Sequence, residues 1–337
     1  MKRPVPTMFA ALEQFGRSLE AKGLRPNTVK NHTQAVRRLT EVTTDISVSK
    51  LHPVHIEELF TLNNWSESTR NLYLNSIRAF IKWAHTYNYL PRDYDPTEGW
   101  TNLRVPEEEQ LRVPVEQFPH LLAAAPNPRD RAVVALGLFL FLRGSEVAHL
   151  RVQDVNFDDS TVNVYRLKNK ATDLMPMATE LRQELLLWLN HWRSTWGEPA
   201  PSDYLTPALS KPELFWDDKR ELWCPNTREQ VLRPQHPLSH SYEPVKRALA
   251  GIGYHQPGLG NHTLRRSGAR ALFDKLRSEG YDGALKRVSS MLGHADTRTT
   301  EKYLGVGLER LQRNEMLAGK PMFDTDTSTI TTIGEAI

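Results

Sequence analysis

Apolar residues recur every three or four positions along about the first ninety residues, which is the spacing of one helix face. Phe9, Phe15 and Leu19 begin this series, and Gly23 is suited to end the first helix in a left-handed cap. The pattern predicts an all-helical first domain, with helices over 9–19, over 27–39, after Pro53, and from Ser66 to Pro91.

Prolines then interrupt the pattern, at positions 91, 96, 106 and 114. A polar, proline-rich stretch of this kind is typical of a linker between domains. We therefore expect a helical domain over 1–105, a linker over 106–114, a second domain over 115–320 and a C-terminal tail over 321–337.

The second domain has a mixed pattern. Residues 161–165 alternate branched and polar side chains, as a half-buried strand does, and 174–177 would be the antiparallel partner with 168–173 as the hairpin tip. Between 194 and 240 prolines are frequent and periodicity is poor, so we expect long loops or an insertion. Helices are expected over 115–125, 129–142, 181–192, 242–250, 263–279, 284–292, 297–304 and 307–318. The predicted fold class is mainly α with a small β-sheet, an all-helical domain followed by an α+β domain.

The composition indicates the class of protein and the compartment in which we expect it. The 337 residues are 39% hydrophobic and 25% charged, as in a globular protein. The longest apolar run, 132–142, is too short to span a bilayer, and the N-terminal residues do not resemble a signal peptide. The single Cys224 allows neither an internal disulfide nor a thiolate metal cluster, so we expect a cytoplasmic protein without a metal.

Charge is unevenly distributed. The net charge is only +3, yet residues 246–313 carry 13 basic and 6 acidic side chains. A basic stretch with helical patterning suits the phosphates of nucleic acid, although a solvated surface has the same composition.

Candidate chemistry lies in four boxes of the second domain. Arg143 and Glu146 follow the apolar run, and Lys168 falls on the hairpin tip. His262 and Arg265 are three apart at a helix start, which suits a phosphate, and His294 precedes Tyr303 by nine residues. Each box alone also fits a structural role: a helix-end ion pair, a solvated lysine, an ordinary helix start, and a core tyrosine.

In this order the boxes resemble the tyrosine recombinase, or phage integrase, family. The matching segments are LFLRGSEVAHL, RLKNKATDLMP, HTLRRSGA and MLGHADTRTTEKYLGV, and the resemblance spans roughly residues 5–320. It implies a site-specific recombinase that cleaves and rejoins DNA through a 3′-phosphotyrosyl intermediate and a Holliday junction. Arg266 stands where relatives often carry His, and Ser267-Gly268 also departs from the usual pair.

The resemblance implies a role for each boxed residue. Arg143 and Arg265 would clamp the scissile phosphate, with Glu146 as the supporting carboxylate. The remaining catalytic candidates are Lys168 as general acid, His262 as general base, His294 as hydrogen-bond donor and Tyr303 as nucleophile. Guanidinium groups are suited to the charge that develops on a phosphate, so metal, cofactor and ATP are not expected.

The resemblance also implies partners. The first domain would be a SAM-like, core-binding clamp for double-stranded DNA, and a chain that begins here would lack the arm-binding domain of lambda-type integrases. The protein would be a monomer or weak oligomer when free and a homotetramer on synapsed DNA, with the tail docking on a neighbouring protomer. Candidate DNA contacts on the helical domain are Arg25, Asn27, Lys30, Arg70, Asn71 and Arg78.

Two other functions share these residues. A type IB topoisomerase has similar catalytic chemistry but relaxes supercoils as a monomer, and a non-catalytic relative would bind DNA without cleaving it. The complete set of candidate catalytic residues argues against the second. The sequence does not indicate the DNA target, the accessory factors, or whether the task is phage, plasmid, chromosomal or mobile-element recombination.

Overall fold

A computed structural model describes residues 4–106, 111–166, 170–210, 214–217, 222–225, 231–294 and 296–306. The chain divides into two compact units, Met1–Glu107 and Glu108–Ile337. The helix expected over 307–318 and the tail lie outside the described residues.

The N-terminal unit contains the helices that the apolar spacing predicts. Gly23 ends the first of them as expected, with φ at 72° and its N–H donating to the Glu20 carbonyl. Ser66 caps the fourth by accepting from the Thr69 N–H at 3.4 Å. The helices are α1 (Met8–Ala21), α2 (Pro26–Thr43), α3 (Pro53–Leu62) and α4 (Glu67–Thr86).

Aromatic side chains fill the core of this unit. The ring of Phe15 packs edge-on against Phe80 at 5.4 Å, and Phe80 stacks on Trp83 at the same distance. Leu39 and Ile77 complete the buried centre. Large apolar surfaces of this kind supply most of the stability of a small helical unit.

The C-terminal unit is built around a helix whose apolar part, residues 132–138, is buried on all sides. This helix ends at Phe139, earlier than the predicted 142, because Phe141 adopts a left-handed conformation with φ at 54° and turns the chain. The helices of this unit are α5 (Phe118–Ala123), α6 (Pro128–Phe139), α7 (Gly144–His149), α8 (Thr179–Trp196), α9 (Tyr242–Gly251), α10 (Asn261–Ser278), α11 (Ala284–Leu292) and α12 (Thr297–Leu304).

A three-stranded antiparallel sheet contains the predicted hairpin. Its strands are β1 (Val155–Asn156), β2 (Thr161–Arg166) and β3 (Ala171–Pro176). Arg166 pairs with Ala171, so the hairpin tip is shorter than the predicted 168–173. Val162, Val164 and Arg166 face inward on alternate positions, which places a charged side chain in the interior.

The prediction for 194–240 is long loops or an insertion, and it does not include the strands that the structure shows there. Two antiparallel pairs lie there: β4 (Pro207–Ser210) with β7 (Val231–Pro237), and β5 (Leu214–Asp217) with β6 (Leu222–Pro225). The strands are short, and the register of the first pair shifts between Pro207 and Ala208. Prolines at strand ends and this irregularity hide the alternation that would indicate strands.

Helices α6 and α10 meet at backbone distance. A Cβ atom added to Gly268 would lie 1.7 Å from the carbonyl oxygen of Leu138, so glycine is the residue that this contact requires. The contact fixes the helix that precedes Arg143 against the helix that carries Arg265.

The described part of the chain contains no helix long and apolar enough to cross a membrane. Within the same ranges, no group of three or more His, Cys, Asp or Glu side chains is placed to hold a metal ion.

Candidate active site

Glu146 is the centre of the candidate site. It lies in the first turn of α7 and is 3% exposed. Its Oε2 accepts from the backbone N–H of Arg143 at 2.8 Å, and its Oε1 accepts from Arg143 Nη1 at 2.9 Å. Because the chain turns at Phe141, Arg143 is the N-cap residue of α7 and not the last residue of the preceding helix. Glu146 orients the Arg143 side chain, which remains 25% exposed.

Arg166, which the sequence analysis did not identify, is a second partner of Glu146. Its Nη1 lies 3.2 Å from Glu146 Oε2, its Nε donates to Asp173 Oδ2 at 2.8 Å, and its Nη2 donates to the Met291 carbonyl at 2.7 Å. The residue is 1% exposed. A buried arginine with this set of partners joins β2, α7 and the end of α11.

Arg265 approaches the same carboxylate from α10. Its Nη1 lies 3.8 Å from Glu146 Oε2, and its guanidinium donates to the carbonyls of Phe141 and Leu292. Burial, followed by the nearby charge of Arg143, lowers the pKa of Arg265 to about 10. The group therefore stays protonated at neutral pH and has little contact with water.

His262 lies in the first turn of α10, three residues before Arg265, as predicted. Part of the residue is accessible to solvent. Its pKa is lowered from 6.5, first by loss of hydration and then by the positive charges of Arg265, Arg266 and Arg143. The imidazole is therefore neutral at physiological pH and able to accept a proton.

His294 and Tyr303 meet across the turn between α11 and α12. Gly293 ends α11 in a left-handed conformation, and His294 Nδ1 lies 3.0 Å from Thr300 Oγ1. The two rings are perpendicular, with centroids 5.6 Å apart. Thr300 is fully buried and so fixes the position of the His294 ring.

The hydroxyl of Tyr303 points to the start of α10, where its Oη donates to the His262 carbonyl at 3.2 Å. Burial raises the pKa of Tyr303, while Arg265, Arg266 and Arg143 act in the opposite direction. The phenol therefore lies within the field of the arginines but requires a base to lose its proton.

The structure thus brings together Arg143, Glu146, His262, Arg265, His294 and Tyr303. Lys168 lies outside the described residues. Both ends of the hairpin tip are described, since the Lys170 N–H donates to the Arg166 carbonyl at 2.8 Å. The side chain of Arg166, which precedes the tip, contacts Glu146.

The six candidate DNA contacts are all on the N-terminal unit. Arg25, Asn27 and Lys30 are exposed at the start of α2. The other three, Arg70, Asn71 and Arg78, lie on α4 and contact residues 100–103. We call these three residues the α4 bracket. Arg70 lies over the rings of Phe60 and Trp100, Asn71 makes two hydrogen bonds of 2.8 Å with the backbone of Leu103, and Arg78 donates to the Trp100 carbonyl.

Both units match models of one protein family. Residues 112–309 match the phage integrase family, and residues 11–84 match the phage integrase N-terminal SAM-like domain. The first match alone covers more than half of the chain.

Individual relatives agree with the family models. The chain is 24% identical over 306 residues to tyrosine recombinase XerA of Thermococcus kodakarensis. The alignment covers 90% of this chain and 93% of the relative. A lambda integrase tetramer bound to a Holliday junction matches with a TM-score of 0.63 at 14% identity, covering 86% of this chain and 78% of that one.

A second solved structure has the same fold. XerH site-specific recombinase bound to palindromic difH substrate in a post-cleavage complex matches with a TM-score of 0.62 at 17% identity, covering 92% of this chain and 85% of that one. These similarities do not favour the topoisomerase or the non-catalytic alternative. The chain belongs to the phage integrase family and is a tyrosine-type site-specific recombinase.

Proposed function

We propose that the site around Glu146 binds one phosphodiester of duplex DNA and that Tyr303 attacks its phosphorus atom. The observation that carries this proposal is the convergence of Arg143 and Arg265 on one carboxylate beside the tyrosine hydroxyl. Three guanidinium groups contact Glu146, and Arg166 also pairs with Asp173, so two carboxylates face three cations. The remaining positive charge suits a phosphate.

The two outer arginines bind the nonbridging oxygens of the phosphate. Arg143 is partly exposed and reaches the ligand side, whereas Arg265 is held by two backbone carbonyls. Preorganised donors of this kind stabilise charge that develops in the transition state, and each is worth about 10²–10³ in rate. The hydrogen bond of Glu146 to Arg143 keeps that donor in place before substrate arrives.

The proton of Tyr303 passes to a base as its oxygen bonds to phosphorus. The neutral imidazole of His262 is the acceptor, because its lowered pKa leaves it unprotonated near pH 7. His294 donates to a nonbridging oxygen, and Lys168 protonates the departing 5′-oxygen. The phosphorus–oxygen bond to the 5′-oxygen breaks as the bond to Tyr303 forms, which gives a 3′-phosphotyrosine and a free 5′-hydroxyl.

Rejoining is the same step in reverse. A 5′-hydroxyl of the partner strand attacks the phosphotyrosine, so the ester is exchanged without loss of its energy. Two such exchanges between paired duplexes pass through a Holliday junction. The lambda integrase tetramer on such a junction and the XerH–difH complex support double-stranded DNA and a homotetramer as the working assembly.

The remaining parts of the chain have roles in this proposal. Residues 1–105 form the SAM-like DNA-binding domain, with Arg25, Asn27 and Lys30 exposed for phosphate contacts. Residues 115–320 carry the chemistry, 106–114 connect the two, and 321–337 dock on a neighbouring protomer. The expected setting is the cytoplasm, on the nucleoid when bound to DNA.

Tyr303→Phe tests the proposal, because it removes only the nucleophilic oxygen. With a nicked duplex that carries the recombination site, mapped by sequencing recombinant junctions, wild type should accumulate a covalent protein–DNA adduct. The variant should form none and should bind the site as wild type does. Tyr281→Phe, at an exposed tyrosine that contacts Arg287, is the matched control and should form adduct normally. Adduct formation by Tyr303→Phe would overturn the assignment.

A further inference from the structure

The helix that carries Tyr303 is short, and its C-terminal end is held by arginines. Helix α12 has eight residues, a length at which a helix is unstable without tertiary contacts. The carbonyl of Leu304 is one of the last four backbone carbonyls of α12, which have no hydrogen-bond partner within the helix itself. Arg112 Nη1 donates to this oxygen at 2.7 Å and Arg270 Nη1 at 3.0 Å.

These two donors come from different parts of the C-terminal unit. Arg270 lies on α10 and is fixed by a 2.7 Å hydrogen bond from its Nε to Asp274 Oδ2. Arg112 lies in the connecting segment, which we define as residues 111–113. Two cations at a helix C-terminus also interact favourably with the helix dipole.

The connecting segment is itself attached to α10. The Val113 N–H donates to Ser267 Oγ at 2.8 Å, and Arg266 Nη1 donates to the Leu111 carbonyl at 3.0 Å. The guanidinium carbon of Arg266 also lies 5.5 Å from the ring centroid of Tyr303. Arg266 thus contacts both the connecting segment and the candidate nucleophile.

We propose that Arg112 is a positioning residue for Tyr303: by holding the Leu304 carbonyl, it makes the segment that follows the linker part of the support of the nucleophile helix. This inference rests on the proposed function of Tyr303. It adds that the connecting segment, at the start of the C-terminal unit, determines how stably α12 is docked. Leu304 is fully buried and packs in the core, so the end of the helix is docked by its side chain as well as by its carbonyl.

The test compares Arg112→Met, which keeps the length of the side chain but removes its donors, with Arg112→Lys, which keeps a cationic donor. In full-length protein without DNA, amide hydrogen exchange in Thr297–Leu304 should rise about tenfold in Arg112→Met, because a charge-assisted hydrogen bond is lost. Arg112→Lys should restore most of the protection.

A kinetic arm measures the consequence for cleavage. In single-turnover reactions with saturating nicked substrate, Arg112→Met should form adduct about tenfold more slowly with unchanged DNA affinity, and Arg112→Lys should recover the rate. The matched control is Arg182→Met, which removes an arginine that donates to the Phe157 carbonyl and stacks on its ring. It should leave both α12 exchange and the cleavage rate unchanged.

Three outcomes would overturn the inference. Wild-type exchange of α12 in Arg112→Met would overturn the support role, and increased exchange with a wild-type cleavage rate would overturn the positioning role. A rise in exchange spread evenly over the C-terminal unit would show a general loss of stability and would also contradict the inference. The exchange measurement does not depend on the chemistry, so it remains decisive even if Tyr303→Phe still forms adduct.

Discussion

Arginine side chains have different kinds of partner in the α4 bracket and in the site around Glu146. On α4, Arg78 donates to a backbone carbonyl and Arg70 lies against two aromatic rings. Around Glu146, Arg143, Arg166 and Arg265 converge on one carboxylate in a buried setting. The first arrangement gives each cation its own partners, whereas the second holds three cations close to two carboxylates, Glu146 and Asp173, and so keeps a net positive charge.

The difference bears on which observation supports the phosphate site that we propose. Basic residues on a helix face do not by themselves indicate DNA contact, because the α4 bracket is already engaged with residues 100–103. At the Glu146 site, by contrast, three arginines share one buried carboxylate, which is the arrangement on which we base the proposed phosphate site. Variants in both regions test this distinction, beginning with the one expected to slow cleavage most.

The largest effect is expected for Arg166→Met. Glu146 and the Met291 carbonyl each lose a donor, so Arg143 and the end of α11 shift relative to each other. A displacement of about 1 Å at reacting groups costs about 10² in rate. Single-turnover adduct formation, corrected for the folded fraction at the assay temperature, should therefore slow by about 10²-fold.

Arg131→Met is the matched control for this prediction. It breaks a pair between Arg131 on α6 and the mostly buried Glu184 on α8, away from the site. Both variants should lower thermal stability, because each leaves a buried carboxylate with fewer partners. If Arg131→Met slowed adduct formation as much as Arg166→Met, the special role of the Glu146 cluster would be excluded.

An intermediate effect concerns the protonation of His262. Because the pKa is lowered in the folded protein, the imidazole should stay neutral until the pH falls below 6.5. The His262 ring resonance, identified by its loss in His262→Asn, should therefore titrate with a midpoint below 6.5 in NMR spectra. Arg143→Met removes a nearby cation and should move the midpoint upward.

The same shift has a kinetic consequence. With His262 as general base, kcat/KM should be retained as the pH is lowered to 6.5 and should fall only through the lowered pKa. A midpoint at or above 6.5 in wild type, or no response to Arg143→Met, would show that the arginines do not control this histidine.

The smallest effect is expected for Asn71→Ala in the α4 bracket. The variant loses two hydrogen bonds to Leu103, and exchange of the Leu103 amide should rise about fivefold, which corresponds to roughly 1 kcal/mol for a solvent-accessible pair. DNA affinity should change by less than about twofold. Lys30→Ala, at an exposed residue of α2, should instead weaken binding several-fold and reduce the salt-dependence slope by about 1.

This pair of variants separates the two roles directly. A larger loss of affinity in Asn71→Ala than in Lys30→Ala would show that the bracket contacts DNA and would remove the contrast with the Glu146 site.

Much of the fold could be predicted from local patterns. The apolar spacing predicts α11 and α12 at the bounds that the structure has, and alternation predicts β2. The ordered boxes also bring together the candidate site residues, since His262 and Arg265 share one helix and His294 and Tyr303 flank one turn. These features depend on neighbours close in sequence.

Features that depend on distant partners could not be predicted in this way. Arg166 ends an ordinary strand, and only the fold places it beside Glu146 and Met291. The early end of α6 depends on the left-handed Phe141, whose carbonyl is held by Arg265 from another helix. The strands β4 and β7 pair across more than twenty residues, so their sequences carry little of the signal.

The contact between Gly268 and the Leu138 carbonyl has a consequence for how this enzyme can vary. Because no side chain separates α6 from α10 there, the interval between Arg143 and Arg265 is set by main-chain atoms. One added methyl group at position 268 would clash with the Leu138 carbonyl and push the two helices apart, and we expect Arg143 and Arg265 to move apart with them.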